Sequence, residues 1–202
     1  MRKDFVYLAS ASPRRRELLE QIGVPFEVRA AEIDEERLPG EAPGPYVLRV
    51  AAAKAHAVWA RLEGAAAETP ILAADTAVVL DGALLGKPSS EAEALEMLAR
   101  LSGREHRVYT GVALRHGDAV ETTLTTSDVR FRPTTEAERR AYCASGEPYD
   151  KAGGYGIQGK GAVFVDHLCG SYSAVMGLPL RETAALLGRV GLPAWLAAGP
   201  AA

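Results

Sequence analysis

Apolar and polar positions follow two rhythms along this chain, and the switches between them mark its elements. Residues 5–8 form a short apolar run that predicts a strand, and residues 26–30 predict a second. Between them, residues 13–22 read as a helix, with Ser12 as N-cap, Pro13 at the first helical position and Gly23 just past the end. In the helix predicted over 45–62, Val47, Val50, Ala51, Lys54, Ala55, Val58 and Leu62 share one face at 3.6-residue spacing. Residues 71–74 predict a short buried strand that ends at Asp75-Thr76. Residues 77–80 and 83–85 predict a hairpin about Asp81-Gly82. Capping boxes at Ser90/Glu93 and Thr135/Glu138 open two further helices. Long strands over 107–115 and 119–131, a short one over 162–165 and a helix over 178–190 complete the series.

Strands and helices interleave, yet several strand pairs are hairpins. The expected fold class is therefore α/β, a mixed central sheet flanked by helices rather than a purely parallel doubly wound sheet. One domain is expected over residues 1–192, as two lobes around a cleft. An Ala/Gly/Pro tail over 193–202 is expected to fray.

Composition narrows the function. With 202 residues, 48% hydrophobic and 24% charged, the chain has the make-up of a soluble globular protein. No apolar run reaches membrane-spanning length and no signal-peptide core is present, so a cytoplasmic location and no membrane partner are expected. A net charge of −3 argues against a nucleic-acid surface, so any anion site must be local. Cys143 and Cys169 make no disulfide framework and are expected to be small buried hydrophobes.

Local chemistry begins at residues 10–16, Ser-Ala-Ser-Pro-Arg-Arg-Arg. Arg14, Arg15 and Arg16 crowd a helix N-terminus, the end at which the macrodipole is already positive. With the hydroxyls of Ser10 and Ser12 beside them, they fit a phosphate group. Of the 23 basic residues only five are lysines, and Lys54 and Lys87 fall where a compact ammonium suits phosphate: one on an apolar helix face, one in a rigid Gly-Lys-Pro turn. Asp75, following Ile-Leu-Ala-Ala, reads as a metal ligand, a general base or a turn cap. The acidic loop carries Glu32, Asp34 and Glu35, of which one could join Asp75 on Mg²⁺. The glycine-rich stretch 146–161 holds little core-forming material, and its Gln158 could read a nucleobase edge. Two look-alikes fail. Residues 82–87 are one residue short of a P-loop, and residues 154–159 have the spaced glycines of a dinucleotide site without its strand and helix.

Together, Ser10-Ala-Ser12-Pro13-Arg14-Arg15, Ala74-Asp75-Thr76, Gly86-Lys87-Pro88, Ser145-Gly-Glu-Pro, the run from Asp150 to Gly159 and the run from Gly170 to Leu180 resemble the Maf family of nucleoside triphosphate pyrophosphatases, in order from about residue 5 to 190. The resemblance implies a fold like that of inosine triphosphate pyrophosphatases, a homodimer, a divalent cation (Mg²⁺ or Mn²⁺), and cleavage of a nucleoside triphosphate to monophosphate and pyrophosphate. It implies Asp75 as proton acceptor, and Ser10, Arg15, Glu35, Lys54 and Lys87 as further site residues. Arg14, Thr76 and Gln158 match the positions that separate the subfamilies, here as in the branch acting on dTTP and UTP. Modified pyrimidine nucleotides are further expected substrates. The alternatives are a nucleotide-binding regulator of septum formation with little turnover, and a sugar-phosphate nucleotidyltransferase, which the short chain disfavours.

Overall fold

The computed structural model describes residues 5–30, 32–66 and 68–192, so the predicted tail at 193–202 lies outside the described residues. Seven strands form one mixed sheet: β1 (Val6–Leu8), β2 (Phe26–Val28), β3 (Ile71–Leu80), β4 (Ala83–Leu85), β5 (Glu105–His116), β6 (Ala119–Phe131) and β7 (Val165–Cys169). Their order is β2-β1-β3-β5-β6-β7, with β4 paired to β3. β1 runs parallel to β2 and β3, whereas β4 and β7 are antiparallel to their neighbours, so the sheet is mixed as expected. The helices are α1 (Pro13–Gln21), α2 (Pro43–Trp59), α3 (Glu91–Leu101), α4 (Glu136–Cys143), α5 (Tyr172–Met176) and α6 (Leu180–Arg189).

The chain divides into two compact units. The first comprises the chain up to Asp75, Thr110–Leu124 and the stretch from Gly177 onward. Its core packs Tyr7, Ile71, Ala73 and Ala113 of the sheet, with Ala9 just past β1, together with Ala51, Ala55 and Val58 of α2. Small residues let the helix lie close. Gly111 sits so near α2 that a Cβ there would stand 2.7 Å from the Val47 carbonyl. The predicted apolar face of α2 is buried from Val47 to Val58, Lys54 included.

The second unit comprises Thr76–Tyr109 and Thr125–Met176. Its core joins Val78, Leu80 and Leu85 to Leu98 and Leu101 of α3, to Tyr142 and Cys143 of α4, and to Phe131, Tyr155, Ile157 and Phe164. The Asp81-Gly82 turn has positive φ at both residues (52° and 78°), as a two-residue hairpin turn of this type requires. The Thr135/Glu138 capping box is complete. At Ser90 only the outgoing half forms, because the Glu93 carboxylate turns to the Ser89 N–H and hydroxyl instead.

Four expectations are corrected. β3 does not end at Asp75 but runs through it to Leu80, because a lysine neutralises the carboxylate inside the sheet layer. Residues 160–164 form a 3₁₀ turn, and the strand begins only at Val165, where its register with β6 sets Asp166 beside Arg130. Cys169 is exposed at the end of β7, although Cys143 is buried as expected. The stretch 153–157 is buried, with Tyr155 and Ile157 in the core, so it is a packed segment rather than an open loop.

Candidate active site

In the first unit, alternation along β3 points Ile71, Ala73 and Asp75 to one face of the strand. That face packs on α2, and Lys54 rises from the helix toward the carboxylate. Lys54 Nζ lies 2.8 Å from Asp75 Oδ1 and 3.0 Å from Glu35 Oε1. Lys54 and Asp75 are only 8% and 6% exposed, whereas about half of the Glu35 side chain meets solvent. Lys54, read from the sequence as snorkelling out or meeting an anion, here meets two carboxylates of the chain itself. Burial pushes the Asp75 carboxyl above the usual range, and the neighbouring Lys54 and Arg15 only partly pull it back.

Arg15 enters from the first turn of α1. Its Nε donates to the Gly177 carbonyl at 2.8 Å, and one terminal nitrogen donates to Ser10 Oγ at 3.1 Å. Desolvation lowers its pKa, with Asp75 and Glu35 acting in the opposite direction and Arg14 adding to the lowering. A guanidinium bears this because it keeps its proton far above neutral pH. Ser12 occupies the N-cap position, yet its hydroxyl makes no capping bond; its N–H donates instead to Ser10 Oγ at 3.2 Å. Arg14 is half-buried and Arg16 exposed.

The acidic loop is held by side chains that the sequence did not single out. The Tyr46 hydroxyl donates to the Glu35 carbonyl at 3.0 Å. Arg49 donates to the Glu36 carbonyl at 2.9 Å and clasps the Glu41 carboxylate through two nitrogens, at 2.7 and 2.8 Å. Asp34 is used structurally, its Oδ1 accepting the Glu36 N–H at 2.8 Å. The one available signal was weak: Tyr46 and Arg49 lie three apart on α2 and so share a side of it.

Among the described residues, no three His, Cys, Asp or Glu side chains gather as a metal site. The donor set that does form, Glu35 and Asp75 about one ammonium, consists of hard carboxylate oxygens. It fits Mg²⁺ or Mn²⁺, which accept one or two carboxylates and fill the remaining positions with water and phosphate oxygens.

In the second unit, Thr76 is half-buried on the opposite face of β3 from Asp75, and Lys87 is exposed in its turn. Gln158 is half-buried within a turn built around Glu147. The Glu147 carboxylate accepts the Tyr142 hydroxyl at 2.9 Å, the Lys160 N–H at 2.9 Å and the Gly161 N–H at 3.1 Å. The Tyr142 oxygen in turn accepts the Gly156 N–H at 3.1 Å. Lys151 Nζ donates to the Glu147 carbonyl at 2.8 Å and to the Asp150 carboxylate at 2.6 Å.

A serine- and arginine-bearing helix start in the same unit as a buried lysine–carboxylate pair suits an anionic group such as phosphate. The sequence matches the family profile described as Maf-like protein over residues 5–190, and the chain belongs to that family. A dTTP/UTP pyrophosphatase of Burkholderia pseudomallei is 53% identical over 192 residues, covering 91% of this chain and 92% of that one. A dTTP/UTP pyrophosphatase of Bordetella avium is 52% identical over 193 residues, covering 93% and 96%. Among solved structures, the Staphylococcus aureus Ham1 protein aligns with a TM-score of 0.45 and 14% identity, over 62% of this chain and 71% of that one.

Proposed function

We propose that this protein is a metal-dependent nucleoside triphosphate pyrophosphatase that hydrolyses dTTP and UTP, and modified pyrimidine nucleotides, to the monophosphate and pyrophosphate. The observation that carries the reading is the convergence of Glu35 and Asp75 on Lys54, with Arg15 and Ser10 in the same unit. The names of the relatives, at 52–53% identity over nine-tenths of the chain, support it.

Ser10, Ser12 and Arg15 hold the triphosphate, and Lys87 adds a point charge to it. Arg14, Thr76 and Gln158 select the nucleotide. Asp75 takes a proton from water, since an elevated carboxyl pKa suits a base. The water oxygen bonds to the α-phosphorus, the bond from that phosphorus to the bridging oxygen breaks, and pyrophosphate leaves with the bond pair. Lys54 keeps Asp75 ionised and oriented until the proton is transferred. Glu35, with Asp75 adjoining, would hold a divalent cation, which would supply charge neutralisation at the phosphate oxygens. Assembly as a homodimer belongs to the same proposal.

The test is a panel of dTTP, UTP, CTP, dATP and methylated GTP, each with Mg²⁺, Mn²⁺ or a chelator, with products separated by chromatography. Monophosphate and pyrophosphate from dTTP and UTP, abolished by the chelator, are expected. Orthophosphate release, a purine preference or chelator-insensitive turnover overturns the corresponding part. Tight dTTP binding without product favours the regulator of septum formation.

A further inference from the structure

Three glycines flank Gln158 where an added Cβ would displace the groups that hold the turn. A Cβ on Gly159 would stand 2.5 Å from Glu147 Oε1, and one on Gly156 would stand 2.8 Å from the Lys151 side chain. On Gly161 it would stand 2.8 Å from the Gly156 carbonyl and 2.9 Å from the Tyr142 hydroxyl. The turn is therefore wrapped tightly on one carboxylate and one phenol. Glu147 holds both its far side, through the Lys160 and Gly161 N–H groups, and its near side, through the Tyr142 hydroxyl that accepts from Gly156.

Such an arrangement exceeds what closing a surface loop requires. A half-buried carboxylate costs desolvation unless its lone pairs are filled, and here three donors fill them. Burial alone would raise the Glu147 carboxyl, but these donors and Lys151 hold it below the usual range, so the acceptor stays ionised at neutral pH. Three of the bonds anchor backbone N–H groups on either side of Gln158, at Gly156, Lys160 and Gly161, and the Tyr142–Glu147 bond ties the two anchors together. The side chain in the middle is consequently presented from a fixed frame, which base discrimination by hydrogen bonding demands.

We infer that Glu147 is a positioning residue for nucleobase choice, acting with Tyr142 to fix the Gly156–Gly161 turn that presents Gln158. The inference rests on the proposed function, in which Gln158 meets the base. Glu147 touches no substrate. Its effect passes through the turn.

The experiment measures kcat and KM on dTTP and on dGTP for the wild type and for Glu147→Gln, Tyr142→Phe and Gln158→Ala, with circular dichroism on each. Glu147→Gln replaces one acceptor oxygen by an amide N–H, which then faces a donor. Its dTTP-over-dGTP ratio of kcat/KM is expected to fall about tenfold, mainly through a higher KM for dTTP, while kcat on dTTP stays within about threefold. Tyr142→Phe is expected to move the ratio in the same direction, and it decides the matter if Glu147→Gln does not fold. A folded Glu147→Gln that keeps the wild-type ratio while Gln158→Ala loses it overturns the inference alone. Equal losses on both nucleotides overturn it too, since that is what a purely structural role produces. If Gln158→Ala itself keeps the ratio, the underlying assignment of Gln158 to the base fails, and the inference with it.

Discussion

Lys54 Nζ stands 2.8 Å from Asp75 Oδ1, and both side chains are almost out of water. A buried ion pair is weak evidence for stability, because desolvation offsets most of the attraction. In the proposed reaction the pair sets the proton affinity of Asp75. Burial raises that carboxyl, and Lys54 opposes the rise through both its charge and its hydrogen bond. An ionised Asp75 is the competent base, so activity is present above its pKa and lost as pH falls through it. Lys54→Met removes the opposing influence, and the acid limb of kcat/KM is expected to move to higher pH in the residual activity. A limb that stays in place, or moves down, contradicts this role.

Arg49 fastens the loop that carries Glu35 by binding the Glu36 carbonyl and the Glu41 carboxylate together. Arg49→Ala is expected to raise the Mg²⁺ concentration for half-maximal turnover by about tenfold, the usual size of an outer-shell effect. Arg49→Lys should restore little of this, because a point charge cannot span those acceptors. A magnesium titration of the three proteins decides the matter, and unchanged half-saturation in Arg49→Ala counts against the clamp.

The three arginines of α1 should separate sharply. Arg15 is held by Gly177 and Ser10, while Arg16 is exposed. Arg15→Ala is expected to lower kcat/KM on the order of a hundredfold, as loss of an oriented charge-stabilising donor does. Arg16→Ala should stay within about twofold, as surface changes usually do. Similar losses in both variants would show that the helix end acts as a diffuse positive patch.

His106 offers a test of the second unit independent of catalysis. It is buried, its Nε2 lies 2.7 Å from the Tyr155 hydroxyl, and burial pushes its pKa down to about 4. A lowered folded pKa means that the unfolded chain binds the proton more readily. Stability is therefore full above the ordinary value of 6.5 and declines as pH falls toward 4. The decline attributable to this residue is about 3 kcal/mol. Urea unfolding of His106→Phe should show a shallower loss between those pH values than the wild type. Parallel curves contradict the assignment.

Much of this was legible in the sequence because it depends on local spacing. The face of α2, the Asp81-Gly82 turn and the Thr135 capping box are each set by residues within a few positions of one another. Lys54 was legible as a misfit, a lysine among alanines and valines that had either to snorkel out or to meet an anion. Its partner was not, since Asp75 lies 21 positions away and a carboxylate in an apolar run reads as a strand end. The same blindness hid Glu147. Its donors come from Tyr142, Lys160 and Gly161, and the glycines looked like loop residues when they are in fact spaces filled by Glu147, Tyr142 and Lys151. Ser12 shows the reverse error, a good capping residue whose position is right and whose hydroxyl makes no capping bond.

In the proposed reaction Asp75 activates water for attack at the α-phosphorus. The most direct measurement is a single turnover of dTTP in ¹⁸O-labelled water, with both products examined by mass spectrometry. One labelled oxygen in thymidine monophosphate, none in pyrophosphate, and a rate in Asp75→Asn reduced by at least about a hundredfold are expected. Label in the pyrophosphate, or an Asp75→Asn protein that turns over at the wild-type rate, would contradict it.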